Sequence, residues 1–461
     1  MFLKFLLLEG LQGPGADAGR LLDGLADGLV SSSALDCGMA EALSALRCHP
    51  LYRARLLELA RYAARSEPLA PEICLCPSPL TIDTLPGRHR HAVVFAASAG
   101  FSHEFYPLAV DACSRDAERH GEMRLQLLGV HADWLDEASH VRRAIYLEPE
   151  RNRLVETDWD RPFMPDSVQF LSLGDREQSH HAALAARFQC PQANHREPAA
   201  LADDKAATLA HWRARGLDVP ESLRVDPSDF AGASGFLRNR EEFVAKPNRG
   251  TEGRQVTLLA GVGPEAEARL NRALEACRDE GAVLLQERRD GVAFRCPETG
   301  ALHTLALRVN VVFDGRRHRA VSGYAQIGAD SDQPASRGRG GRIRTLAEVL
   351  AHLARRRSPS APVPAPDARF WDELVSQAEQ AAAIFPGLLL AGLDVLLDVD
   401  EWGTLLPVFL EANPRPAGLC HSRLWSALPS SADPPGVGPA LWDGLAALCA
   451  VRSPQNSSEH S

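Results

Sequence analysis

The sequence has no C-x-x-C pair, no apolar run long enough to span a bilayer, no Walker-type G-K-[ST] and no excess of positive charge. Each absence removes a class of protein. The ten cysteines (Cys37, Cys48, Cys74, Cys76, Cys113, Cys190, Cys277, Cys296, Cys420 and Cys449) are scattered, and the C-x-C at Cys74 and Cys76 has no second pair at zinc-ligand spacing. They read as reduced core thiols rather than a metal or disulfide set. The apolar start MFLKFLLLEG is cut short by Glu9, and no small-residue cleavage site follows. Neither a membrane span nor a signal peptide is expected, which places the chain in the cytoplasm. A net charge of −10 argues against a nucleic-acid coat or a polybasic membrane contact, while leaving room for a local basic pocket.

What is present is a globular composition: 461 residues, 45% hydrophobic and 24% charged, enough for two or three domains. Residues 1–66 carry leucines at helical spacing, as in LYRARLLELARYAARS. Gly13–Gly19 has the wrong spacing for a dinucleotide fingerprint and reads as a turn. From 67 to 200, short β-rich runs (HAVVFAAS, RLQLLGV, RAIYLE, VQFLSLG) alternate with helical segments, which suggests an α/β domain. Adjacent His180 and His181 would diverge by ~100° on a helix and do not make a metal pair. The spacing predicts a helix over 203–222, a strand with a following loop over 242–259, a strand at 282–287, two strands joined at Asp314-Gly315, a loop at 329–345, a helix at 367–385 and a final hairpin.

That hairpin concentrates the polar chemistry. In VFLEANPRP (408–416) a core-like strand carries Glu411, Asn413 and Arg415 at alternate positions, and alternate strand residues share a face. A symmetric turn centred on Trp402-Gly403 places Asp394 opposite Glu411, so that Asp394, Glu411 and Asn413 can converge as oxygen ligands for Mg²⁺. The competing reading is a salt-bridged sheet edge, with Arg415 neutralising Glu411. Lys246 ends the apolar run FVA, so it should point out of a sheet near its edge. It is followed by the glycine-bearing stretch Asn248–Gly253, whose backbone N–H groups can approach phosphates. SRGRGGR brings Arg337, Arg339 and Arg342 together among glycines, as a cover over an anionic substrate or as a solvated connector. The strand tip SAGFSHE (98–104) could touch a substrate, although ordinary turn chemistry accounts for it as well.

Over residues 201–425, and in this order, these segments resemble the ATP-grasp superfamily. The resemblance implies an α/β (α+β) chain: an ATP-grasp domain at 201–450, preceded by an α/β pre-grasp domain at 67–200 and a helical extension at 1–66, with a disordered tail at 451–461. It implies ATP and Mg²⁺, or Mn²⁺ in its place. The Lys205 helix is similar to the one that opens the grasp region, and Lys246 to the lysine on the α- and β-phosphates. Gly250, Thr251, Glu252 and Gly253 are similar to the loop that closes on those phosphates, and Gln286 and Glu287 lie at the adenine contact positions. Arg308 resembles the arginine at the reacting phosphate. Asp394, Glu411 and Asn413 match the magnesium ligands, and Arg415 would face the transferred phosphate or a substrate carboxylate.

The activity so implied is an ADP-forming carboxylate–amine ligase that makes an acylphosphate and passes the acyl group to an amino acid, peptide or small amine. Its partners would be small molecules, with no nucleic acid and no membrane; a homodimer is compatible with it. The alternative is a non-catalytic ATP-binding scaffold or sensor on the same fold, and a phosphotransferase that stops at a hydroxyl is a third reading. Degenerate members would be expected to lose a metal ligand or a phosphate cation, and this sequence keeps all of them. Glu411→Ala is therefore expected to leave the fold nearly intact and to remove turnover; normal activity in that variant would sink the metal assignment.

Overall fold

The computed structural model describes residues 73–75, 79–81, 89–95, 101–121, 123–151, 153–171, 183–237, 242–250, 253–261, 263–289, 291–336, 339–416 and 437–450. The helical extension, the tail at 451–461, Gly13–Gly19, His180, His181, residues 98–100, Thr251, Glu252 and Arg337 lie outside the described residues.

The described chain is a mixed α/β structure with several sheets. The first has six strands: β1 (Ile73–Leu75), β2 (His89–Phe95), β3 (Leu125–His131), β4 (Val141–Glu148), β5 (Arg153–Phe163) and β6 (Ser167–Phe170), in the order β1-β5-β4-β3-β2-β6. Its centre is parallel, with β2 between β3 and β6. Parallel strands are covered on both faces, so they read as unbroken apolar runs; His91–Phe95 are all buried. Strand β5 has no counterpart among the sequence expectations, because Glu156, Asp158 and Asp160 interrupt its apolar signal. Helix α1 (Phe101–Glu118) packs on this sheet, and it contains the Phe101–Glu104 part of the expected strand tip.

The helix expected over 203–222 is the shorter α3 (Lys205–Arg213), preceded by a separate helix α2 (Arg196–Asp203). Asp204 breaks them: its backbone is extended, and its carboxylate caps α3 by accepting from the Ala207 N–H at 3.1 Å. A four-stranded antiparallel sheet follows, built from β7 (Ser222–Val225), β8 (Glu242–Pro247), β9 (Thr257–Ala260) and β10 (Val283–Glu287) in the order β7-β10-β8-β9. One face (Phe243, Ala245, Val283, Leu285) packs on α4 (Phe230–Leu237) and α5 (Pro264–Ala276). Strand alternation turns Val244, Lys246, Leu284 and Gln286 to the other face.

That face looks onto a five-stranded antiparallel sheet. A small sheet of β11 (Val292–Arg295), β12 (Leu302–His303) and β16 (Leu353–Arg355) adjoins it. The large sheet runs β15-β14-β13-β17-β18, from β13 (Leu305–Phe313), β14 (His318–Ile327), β15 (Arg342–Arg344), β17 (Leu390–Val399) and β18 (Leu405–Asn413). The stretch expected as a loop over 329–345 thus ends in a three-residue edge strand, paired to β14. Helices α6 (Leu346–Leu350) and α7 (Ala368–Ala382) back this sheet. Trp212, fully buried on α3, donates to the Ala381 carbonyl at 3.0 Å and meets Phe409 edge-on at 5.7 Å. It fixes α3, two turns below Lys205, to the final hairpin. Helix α8 (Val437–Ala450) packs against both α1 and β13. Among the described residues no helix is long and apolar enough to cross a membrane.

Glu242, at the start of β8, binds Arg356 and Arg357 just beyond β16 and so ties the four-stranded sheet to the small one. Hydrogen bonds from Arg356, then from Arg357, outweigh burial and hold its carboxyl at about 2. The folded-state value lies below the ordinary 4.5, so the contribution is complete above pH 4.5 and is lost as pH falls through 2. Glu242→Gln is expected to cost on the order of 2 kcal/mol at pH 7. Urea-unfolding midpoints of the variant and the parent should converge as pH approaches 2.

Candidate active site

The hairpin β17–β18 pairs Asp394 with Glu411, but not by simple symmetry. Its tight end pairs Val399 with Leu405, a register centred on Trp402 that would set Asp394 against Leu410. A β-bulge at Leu410 absorbs one residue between the Val395–Phe409 and Asp394–Glu411 pairs. Phe409 and Ala412 lie in the core behind the sheet. Without the bulge, Glu411 would share the face of Phe409 and point into that core; with it, Glu411 joins Asp394 on the open side of the sheet.

Two lysines reach Glu411 from different elements. The ammonium groups of Lys205 and Lys246 each lie 3.9 Å from its Oε2. Lys246 does not sit near a sheet edge as its sequence position suggested: β8 lies between β10 and β9, and the residue is 4% exposed. Its neighbour on β10 is Leu284, whose side chain belongs to the core of the large sheet, so this face closes on that sheet. Lys205 is positioned by a clasp between the start of α3 and the end of β8. Asn248 Oδ1 accepts from the Ala206 N–H at 2.9 Å, Asn248 Nδ2 donates to Asp204 at 3.0 Å, and the Lys205 N–H donates to the Asn248 carbonyl. The Lys205 ammonium then donates to the Gly250 carbonyl at 2.7 Å.

Asp394 is held from four directions. Arg308, its direct neighbour on β13, donates through Nε at 2.5 Å and Nη2 at 3.1 Å. Gln326 on β14 donates to Oδ1 at 3.2 Å, and Asn413 donates to Oδ2 at 3.4 Å. Burial shifts these groups against one another. It pushes Asp394 up, against the pull of Arg308, and the Glu411 carboxylate adds to that. Burial also opposes ionisation of Glu411, yet Lys205 and Lys246 together hold its carboxyl below the usual range. Lys246 is brought down to about 8, by burial first; Glu411 pulls it back up and Lys205 presses it further down.

The remaining expected residues are distributed around this centre. Gln286 lies on the cleft face of β10, and its buried Nε2 has no hydrogen-bond partner. A buried unpaired donor costs roughly 1–3 kcal/mol, which a ring nitrogen or carbonyl entering the cleft would recover. Glu287 turns away and accepts from the Glu221 N–H. Gly250 and Gly253 both have positive φ, and Gly253 presses on the 329–341 segment: a Cβ there would lie 3.0 Å from that of Ser336. The two loops therefore touch. Arg415 is bound to Asp203 at the end of α2, at 2.7 and 2.5 Å, not to Glu411. Sequence reasoning missed Asp203, Asp204, Asn248 and Gln326. A signal existed for Asp204, an N-cap residue type directly before the helix; the others are ordinary polar residues whose partners lie far along the chain.

Two carboxylates and a carboxamide at the ends of adjacent strands suit a hard cation, which takes oxygen ligands and keeps water or phosphate for the rest. Among the described residues no three His, Cys, Asp or Glu side chains cluster closely enough to hold a metal. A cation here would thus need oxygen from Asn413 and from a ligand. Because Glu411 raises Lys246 and is not its largest influence, Glu411→Gln should move the Lys246 ammonium below about 8. Lysine Nζ NMR across pH 6 to 10, a range spanning roughly two units either side, checks this; an unchanged or higher value would contradict the 3.9 Å pairing.

No protein-family model and no curated protein matches the chain. Several solved structures do. The D-Ala:D-Ser ligase VanG from Enterococcus faecalis is 13% identical, with 78% of this chain and 99% of that chain covered and a TM-score of 0.47. The D-cycloserine synthetase DcsG is 18% identical over 78% of this chain and 99% of its own, at a TM-score of 0.44. The ATP-grasp ligase PsnB, solved with a minimal precursor, Mg and ADP, is 16% identical over 77% and 97%, at 0.41. The chain thus has structural matches to ATP-grasp ligases over about 78% of its length.

Proposed function

We propose that the chain is an ATP-dependent carboxylate–amine ligase whose cleft lies between the four- and five-stranded sheets. The observation that carries this reading is the meeting of Lys205, Lys246 and Arg308 with Asp394 and Glu411 in one buried place, delivered by five separate elements. A structural ion pair needs two partners. Three cations around two carboxylates, with an amide and an unpaired buried donor nearby, make a polyanion site with a metal position.

In this reading Asp394, Glu411 and Asn413 hold Mg²⁺, or Mn²⁺, which when bound neutralises charge on the transferring phosphoryl group. Lys246 and Lys205 bind the polyphosphate, helped by the backbone of Gly250–Gly253, Thr251 and Glu252 included. Gln286 offers its free donor to the adenine, and Glu287 flanks the same position on the strand. Arg308 stabilises the transferring phosphoryl group. Arg415, anchored to Asp203 at the end of α2, faces the transferred phosphate or the substrate carboxylate.

A substrate carboxylate oxygen attacks the γ-phosphorus and ADP leaves, giving an acylphosphate. An amine then attacks the carbonyl carbon, phosphate leaves with the bonding pair, and the nitrogen loses a proton. Phosphoryl transfer asks the protein for positioning and charge neutralisation more than for covalent help, and these residue types supply both. Water would destroy the acylphosphate, so a cover is needed; the touching loops around Gly253 and Ser336 supply one.

The test is release of ADP and phosphate from Mg-ATP with pools of amino acids, peptides and carboxylic acids, read by mass spectrometry. The expected result is release that depends on one carboxylate–amine pair, with a product lighter by one water than their sum. Binding of ATP without turnover across broad pools would overturn the ligase reading in favour of a scaffold or sensor. ADP with a phosphorylated product and no free phosphate would do so in favour of a phosphotransferase.

A further inference from the structure

The acidic pair in the cleft is already neutralised by the protein. All four acceptor directions of the Asp394 carboxylate are taken: Arg308 Nε and Gln326 Nε2 on Oδ1, Arg308 Nη2 and Asn413 Nδ2 on Oδ2. Glu411 faces two ammonium groups at 3.9 Å. Two carboxylates stand against three cations, a local excess of positive charge. A bare divalent cation arriving here meets repulsion in a low-dielectric cleft and finds Asp394 occupied. A metal carried by a polyphosphate brings net negative charge and meets attraction.

We propose that Arg308 holds the metal's place: in the nucleotide-free protein its guanidinium fork occupies Asp394, and a divalent cation enters only with the polyphosphate, displacing that fork. The inference rests on the ligase reading of this cleft and adds to it an exchange of one cation for another. A guanidinium fork matches a carboxylate edge in two parallel hydrogen bonds, so it fills the position fully. The position is shaped for it: a Cβ on Gly392 would come within 2.7 Å of Pro416 Cβ, 3.1 Å of Arg308 Cδ and 3.2 Å of Nη1, so only glycine lets the arginine lie where it reaches Asp394. Once displaced, the fork is a free donor next to the anion that arrived with the metal.

Mn²⁺ binding to the full chain, followed by the paramagnetic resonance of the free ion, tests this with no reference to turnover. Without nucleotide, the parent protein should bind Mn²⁺ poorly, and Arg308→Ala should bind it at least ~10-fold more tightly, since a competitor is gone. Methylguanidinium added to Arg308→Ala should weaken that binding again and leave the parent unaffected. Arg308→Lys, which keeps the charge and loses the fork, should lie between the two, and serves if the alanine variant does not fold; thermal melts report which case holds. The proposal is overturned if neither variant binds Mn²⁺ more tightly than the parent without nucleotide, while the parent still takes up Mn²⁺ with ATP; the ligase reading then stands. If ATP adds nothing to Mn²⁺ uptake by the parent, the metal position itself is refuted, and the exchange with it.

Discussion

Buried charge must be paired, and in this protein the pairing runs across a cleft rather than along one sheet. Glu411 belongs to the five-stranded sheet, Lys246 to the four-stranded one, and Lys205 to α3. Loss of either lysine still leaves Glu411 with the other, and a buried grouping of this kind weighs more than a surface pair. The other arrangements serve this one. The Asp204–Asn248 clasp sets Lys205 at the head of α3, Trp212 anchors the body of that helix to the hairpin, and the bulge at Leu410 brings Glu411 round to meet them.

Much of the architecture was legible from patterning. The apolar run of β2, the strand pair β13–β14 about the turn at Asp314-Gly315 and the amphipathic α7 all follow from residue period and turn chemistry. What escaped had physical reasons. β5 pairs antiparallel with β4, and Glu156, Asp158 and Asp160 at every second position leave it no continuous apolar run of the kind that marks β2. The break between α2 and α3 depends on Asn248, more than forty residues away, which offers Asp204 a better set of bonds than a continuous helix would. Lys246 seemed an edge residue because a lysine after an apolar run usually is one; its strand is flanked by the later β9 and β10, and its own partner is Leu284 on β10.

The Asp394–Glu411 pairing carries a subtler lesson. A symmetric turn leads to the observed partners, yet the turn is centred one half-step away, and the bulge makes up the difference. Strand alternation reports which residues share a face only while the ladder is regular. In this hairpin the irregularity is what lets a strand pack Phe409 and Ala412 behind the sheet and still present Glu411 in front. The same limit applies to Arg415. It continues the alternation of Glu411 and Asn413 in the sequence, but β18 ends at Asn413, and beyond that point the chain is free to turn the guanidinium toward Asp203.

Helix α8 has a bearing on how the chain is made. It lies against α1 so closely that Gly438 touches Asp111, and Arg115 pairs with Asp443, 328 positions away. The side of α1 that α8 covers, around Asp111 and Ala112, therefore lacks this neighbour when it leaves the ribosome. At about 5–20 residues per second, the covering helix follows roughly 15 to 65 s later. For that interval the first sheet and α1 stand without the helix that later packs on α1.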